Sequence, residues 1–299
     1  MSPSLPANER VTYLLVTYHS ARILARALPS LATAPHVVVV DNGSSDDTVE
    51  VVRRLLPQAR LVEVGANLGF GRANNLGLDQ VLTPFALLLN PDCILAPGAL
   101  EELVAAAERY PDAAIIGPKL FDAPGVPSLS FRRAFHVRQP KGVTEAEGDL
   151  CADFLTGTAM LLNMAAMRRI GFFDPWFFLY FEDDDLCLRV RQAGGSLVLA
   201  AHAVGEHLVQ QSSPSSPRNR FRRVYCHTLS KIYIERKYLG RARAARTWLR
   251  ISVGSLISLP IYTLAFQRDR AWRTLARLWA CLCAPARLRA AHCMPDAPH

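Results

Sequence analysis

HVVVVDNGSSDDT, residues 36–48, sets four consecutive valines ahead of a carboxylate, an Asn-Gly turn and a polar helix start. A short β-branched run without polar alternation reads as a strand buried on both faces, as in a parallel sheet covered by helices. The same reading extends outward. VTYLLVT (11–17), RLVEV (60–64) and FALLLN (85–90) read as further strands, with helices over Ser20–Leu31, Ser45–Leu55 and Gly71–Leu82 between them. The alternation predicts an α/β fold built on a mostly parallel, Rossmann-like sheet flanked by helices. Such sheets bind ligands at the carboxyl ends of their strands. The polar clusters TYHS (17–20), DNGSSDD (41–47) and NPD (90–92) all fall there.

Further on, Glu182, Asp183, Asp184 and Asp185 stand between an aromatic run and an amphipathic helical pattern. A helix N-terminus favours a carboxylate by only about 0.3–1 kcal/mol. Capping accounts for one or two acids, so four together point to chemistry. The other motifs are weaker alone. Asp41 could hydrogen-bond a base or ribose, yet Asp-Asn-Gly is also an ordinary turn. NLGFGRANNLG (67–77) permits close backbone approach to a ligand, but lacks the GxGxxG dinucleotide spacing. Asp92 follows a buried strand, with Pro91 fixing the turn.

The charge is unevenly distributed. Residues 217–299 hold 17 of the 34 Lys/Arg and 3 of the 26 Asp/Glu, a net +14 against −6 for residues 1–216. A basic tail fits nucleic acid or an anionic membrane surface. Long Leu/Ile/Trp faces exclude the nucleic-acid reading, which needs exposed basic grooves. ISVGSLISLPIYTLAF (251–266) is uncharged, but as a helix it spans about 24 Å, short of a roughly 30 Å hydrocarbon core. The expectation is an in-plane or re-entrant membrane anchor, with a packed helical hairpin or a homodimer interface as alternatives. Two helical stretches are expected in this tail. The boundary is placed at QQSSPSSPRN (210–219), giving domains 1–216 and 217–299, and residues 122–150 read as a long mobile insertion. MSPSLPANER shows no positive n-region followed by an apolar h-region, so no secretory signal is expected, and seven cysteines without metal spacing read as reduced thiols.

In their order, these motifs resemble glycosyltransferase family 2, from about Val11 to Ser212. The likeness is strongest in NLGFGRANN and GFFDPWFFLYFEDDDLCLR (171–189), and within the family in bacterial rhamnosyltransferases. The resemblance implies a GT-A fold and an inverting transfer from a nucleoside diphosphate sugar. Thr17, Tyr18, Asp41, Asn67 and Asn74 would then hold the nucleotide. Asp92 would be the metal ligand, in a DXD-type motif whose first position is here Asn90. His207, preferred over His202 because it precedes Ser212 by five residues, would join it. Asp183 would be the general base, and Glu182, Asp185 and Gly157 would shape the acceptor side. Asp184 reads as a solvated position, and Arg189 as a partner of the cluster or a surface residue.

The same resemblance implies Mg2+ or Mn2+ as cofactor and dTDP-L-rhamnose as donor. The acceptor would be lipid-linked or a glycan, met at the cytoplasmic side of the bacterial inner membrane during O-antigen or cell-wall synthesis. A UDP-hexose donor is the nearer alternative. A sugar-nucleotide nucleotidyltransferase is the more distant one, since TYHSARIL lacks a Gly-rich basic loop after the first strand. A non-catalytic membrane scaffold is the third, opposed by the presence of Asp92 and Asp183.

Overall fold

The structure, a computed structural model, describes residues 5–140, 142, 145–208 and 216–290. Ser212 and most of the expected hinge lie outside them. The described residues form two compact units, 5–174 with 183–208, and 175–182 with 216–290.

The first unit follows the expected alternation: β1 (Val11–Thr17), α1 (Ala21–Ala27), β2 (Val37–Asp41), α2 (Thr48–Leu55), β3 (Arg60–Glu63), α3 (Phe70–Leu78) and β4 (Phe85–Leu89). Next come β5 (Cys93–Leu95), α4 (Ala99–Arg109), β6 (Ala113–Ala123), the short β7 (Val126–Pro127), β8 (Phe131–Arg132), β9 (Leu150–Cys151) and β10 (Phe154–Leu155), then β11 (Ala159–Asn163), α5 (Met164–Ile170), α6 (Glu182–Gln192) and β12 (Ser196–His207). The main sheet runs β3-β2-β1-β4-β11-β6-β12-β5. Its first four strands are parallel, and β11 enters antiparallel between β4 and β6.

The valines of β2 show why this sheet needs cover on both faces. Val37 and Val39 join Val51, Val52 and Leu103 in one core, while Val38 and Val40 join Leu78, Met160 and Leu186 in the other. Each buried Val or Leu contributes about 1.5–3 kcal/mol. A close helix-to-strand approach is made at Gly77, where a Cβ would come within 2.2 Å of Leu14 Cδ1.

The second unit holds α7 (Pro217–Leu239), α8 (Arg241–Leu264) and α9 (Arg268–Ala290). Three helices replace the two expected. The inward positions of α7 include the polar Thr228, Ser230 and Glu235 beside Leu229 and Ile232, which blurs its apolar period. The segment 175–182 belongs to this unit, where Trp176 packs on its core. No helix among the described residues is long and apolar enough to cross a membrane.

Candidate active site

The parallel register sets Thr17 beside Asp41 at the carboxyl ends of β1 and β2. Asp41 is buried. Its Oδ1 accepts from the Thr17 hydroxyl at 3.2 Å and its Oδ2 from the Ser44 amide at 2.9 Å. Tyr18 stands next, its ring edge-on to His19 at 4.2 Å. Gly43, at φ +81°, lies so close to the following loop that a Cβ would meet the Ala66 backbone at 2.7–2.9 Å. There Asn42 ties the two loops. Its Nδ2 donates to Asn67 Oδ1 at 3.3 Å, and its Oδ1 accepts from the Leu68 amide at 2.8 Å. Asn74 is buried and donates to the Phe70 carbonyl at 3.0 Å, one turn back along α3.

Asp92 lies in the turn between β4 and β5. Because β12 runs antiparallel to β5 with His207 opposite Cys93, the imidazole falls beside this turn. The Leu208 amide donates to the Asp92 carbonyl at 2.7 Å. The Asp92 side chain is buried, and its Oδ1 lacks a hydrogen-bond donor. His207 Nε2 stands 3.8 Å from that oxygen, and Nδ1 is 3.5 Å from Asp122 Oδ1. An orphaned carboxylate oxygen beside an imidazole whose far nitrogen faces a second carboxylate suits a hard divalent cation. Among the described residues no group of three or more His, Cys, Asp or Glu is gathered to hold one. Phosphate oxygens are among the ligands that could complete such a site. His202 is exposed on the same strand.

The TGT segment connects this turn to α6. The Gly157 amide donates to Asp183 Oδ2 at 3.3 Å, and the next residue, Thr158, accepts the Asn90 amide at 2.9 Å on its carbonyl. Asp183 is partly buried. Burial raises its pKa above the usual carboxylate value, against the lowering influence of the Gly157 amide and the Arg132 charge.

The remaining acids of the cluster are all buried. Asp184 is not solvated as its sequence position implied. Both its oxygens accept from Arg132 Nη2 at 2.7 Å, and that guanidinium lies 3.8 Å from the Phe154 ring centre. Arg132 comes from the insertion, 52 residues away in sequence, so neither helical spacing nor local pattern reveals the pair. Asp185 accepts from Arg189 Nε at 2.8 Å, and the same guanidinium binds the Ile170, Gly171 and Phe172 carbonyls. Arg189 is therefore a brace of the cluster. Glu182 opens α6 and closes the 175–182 segment. Asn75, which sequence reading left without a role, holds Phe173 by two hydrogen bonds, at 2.8 and 2.9 Å. Paired amide-to-backbone bonds of that kind have no sequence signature.

Arg132 lowers the pKa of Asp183, so Arg132→Gln should raise it further. In the base role that the resemblance implies, Asp183 works only when ionised, so the acid limb of a kcat profile should move to higher pH. Arg132→Lys, which keeps the charge but not the fork, should move it less. An unmoved acid limb in Arg132→Gln would show that the two groups do not communicate.

A sheet of this order, with its polar strand ends and an acid-headed α6, is a GT-A glycosyltransferase architecture. Residues 12–170 match the glycosyl transferase family 2 model, and the chain belongs to that family. It is 29% identical to an N-acetylglucosaminyl-diphospho-decaprenol L-rhamnosyltransferase of Mycobacterium tuberculosis, across 78% of this chain and 86% of that protein. It is also 30% identical to the rhamnosyltransferase WbbL of Escherichia coli, across 47% of this chain and 61% of that one. Among solved structures, the mannosyltransferase PcManGT of Pyrobaculum calidifontis, determined with GDP-Man and Mn2+, superposes with a TM-score of 0.57 at 20% identity, covering 97% of this chain and 76% of that one.

Proposed function

We propose that this transferase moves L-rhamnose, with inversion, from dTDP-L-rhamnose to a hydroxyl of a lipid-linked glycan acceptor in bacterial surface polysaccharide synthesis. One observation supports the chemical reading: Gly157 and Thr158, adjacent residues, bind Asp183 and Asn90, so Asp183 and the NPD turn share the carboxyl end of β4. The rhamnosyl donor and lipid-linked acceptor are supported by the Mycobacterium tuberculosis relative, whose name carries both.

In this reading Thr17, Tyr18, Asp41, Asn67 and Asn74 hold the nucleotide. Asp183 takes the proton of the acceptor hydroxyl as its oxygen bonds to the anomeric carbon. The bond from that carbon to the diphosphate breaks on the opposite face, which inverts the configuration, and no protein nucleophile takes part. Asp92 and His207 would hold Mg2+ or Mn2+, which when bound offsets charge on the departing diphosphate. Asp185, fully buried on Arg189, stiffens α6 rather than meeting the acceptor. Gly157, whose added Cβ would touch Asp183 at 3.5 Å, and Glu182 remain the residues shaping the acceptor side.

Thermal stabilisation by a panel of nucleotide sugars with Mn2+ tests the donor. A ligand at 100 times its Kd adds about 2.7 kcal/mol, so dTDP-L-rhamnose should raise Tm by several degrees more than UDP-hexoses. A larger shift with a UDP-hexose replaces the donor proposed here.

The helical unit supplies the membrane reading. Along α8 the small Ala244, Thr247 and Ser255 face inward, while Leu249, Val253, Leu256, Ile257, Ile261 and Leu264 are exposed. A water-facing helix shows the reverse. Arg241, Arg243, Arg246, Arg250, Arg268 and Arg270 flank this stripe, which fits the interface of an anionic bilayer at the cytoplasmic face. Ile257→Glu should lose flotation with vesicles containing phosphatidylglycerol. If it still floats but no longer dimerises, the stripe is a homodimer interface instead.

A further inference from the structure

Segment 175–182 leads straight into Asp183, and side chains of α7 hold it at several points. The Trp176 indole stacks on the Tyr233 ring with centroids 3.7 Å apart and planes at 16°. Phe177, fully buried, meets the same ring edge-on at 5.0 Å. Ser230 Oγ donates to the Leu179 carbonyl at 3.0 Å. The His227 ring lies 5.5 Å from Tyr180 and 5.2 Å from Phe181. Burial, with the Lys231 and Arg277 charges, lowers the His227 pKa, which favours the neutral ring.

His227, Ser230 and Tyr233 are spaced three apart on one face of α7. Their targets include Tyr180 and Phe181, which have φ of 70° and 67°. Residues with a Cβ seldom adopt this left-handed region, and they persist there only where the surroundings hold them. These are the last two residues before α6 begins. Relaxing either dihedral to a negative φ would redirect the chain entering the helix that carries Asp183.

We propose that Tyr233, Ser230 and His227 are positioning residues for the base. They clamp the 175–182 segment in its left-handed turn, the backbone from which α6 and Asp183 start. This rests on the assignment of Asp183 above. A base must lie within hydrogen-bond reach of its proton, and a displacement of 1 Å can cost about 10²-fold in rate.

The test uses full-length Tyr233→Ala, Tyr233→Phe and Ser230→Ala, with Asp183→Asn alongside. Turnover is read as release of nucleoside diphosphate from the best-stabilising donor of the panel, with N-acetylglucosaminyl-diphospho-farnesol as acceptor. Donor affinity is read by calorimetry. Tyr233→Ala should lose about 10- to 100-fold in kcat with donor affinity within about twofold, and Tyr233→Phe, which keeps the stack, should recover most of kcat. Ser230→Ala, a milder change that decides the matter if Tyr233→Ala does not fold, should lose about threefold or more in kcat with donor affinity within about twofold. Wild-type kcat in the α7 variants, or a kcat loss matched by an equal loss of donor affinity, overturns the clamp. If Asp183→Asn is inactive while the α7 variants are unimpaired, the clamp alone falls. If Asp183→Asn itself turns over normally, the base assignment falls.

Discussion

Asp183→Asn should abolish transfer while leaving donor binding within a few-fold. The amide keeps the shape of the carboxylate and can still accept the Gly157 amide through its oxygen, giving up the bond that the other oxygen accepts from the Asp184 amide. What it lacks is the capacity to take a proton near neutral pH. General-base catalysis contributes about 10²–10⁴-fold, and single-turnover kinetics should show a fall of that size. Equilibrium binding of the nucleotide should be nearly unchanged, because Thr17, Asp41 and Asn67 are untouched. Retained turnover would transfer the role to another group. The pH profile is a second reading of the same residue. Burial raises the Asp183 pKa, so the wild-type acid limb should lie above the ordinary carboxylate range. Activity should fall as pH drops through it.

Asp92→Ala should act on the other side of the reaction. Its Oδ1 is buried without a hydrogen-bond donor, a cost that a bound cation would relieve. Losing even a hydrogen-bond partner of a metal ligand costs about 10–100-fold in metal affinity, so donor affinity with Mn2+ present should fall by about 10²-fold. Without metal the variant and the wild type should bind the nucleotide alike. The Asp92 carbonyl still accepts the Leu208 amide, so the turn itself survives the change. Equal affinity with metal present would remove Asp92 from the ligand set.

Much of the sheet was readable from sequence because β1, β2 and β4 are uniform apolar runs, and uniform runs need cover on both faces. The antiparallel entry of β11 was not readable. AMLLN has the same apolar signature in either direction, and only its pairing with β4 and β6 decides it. The acid cluster announced itself by charge density, yet its internal division did not. Asp184 is paired through Arg132 of a Pro/Gly-rich insertion, and no local period links the two. His207 was singled out through the family resemblance, whereas its approach to Asp92 depends on the β5–β12 register. In the tail, α7 was obscured because it buries Thr228, Ser230 and Glu235. Two of the residues that grip segment 175–182, Ser230 and His227, are themselves polar.

That segment has a practical consequence. The polypeptide leaves the α/β body at residue 174 and returns at 183, so no single cut separates the two units. Severing the chain after the last strand would strip WFFLYF (176–181) of its cover and expose a ribbon of bulky rings. Such a ribbon is prone to self-association. A free-standing catalytic body would need those six side chains redesigned as well as a new C-terminus.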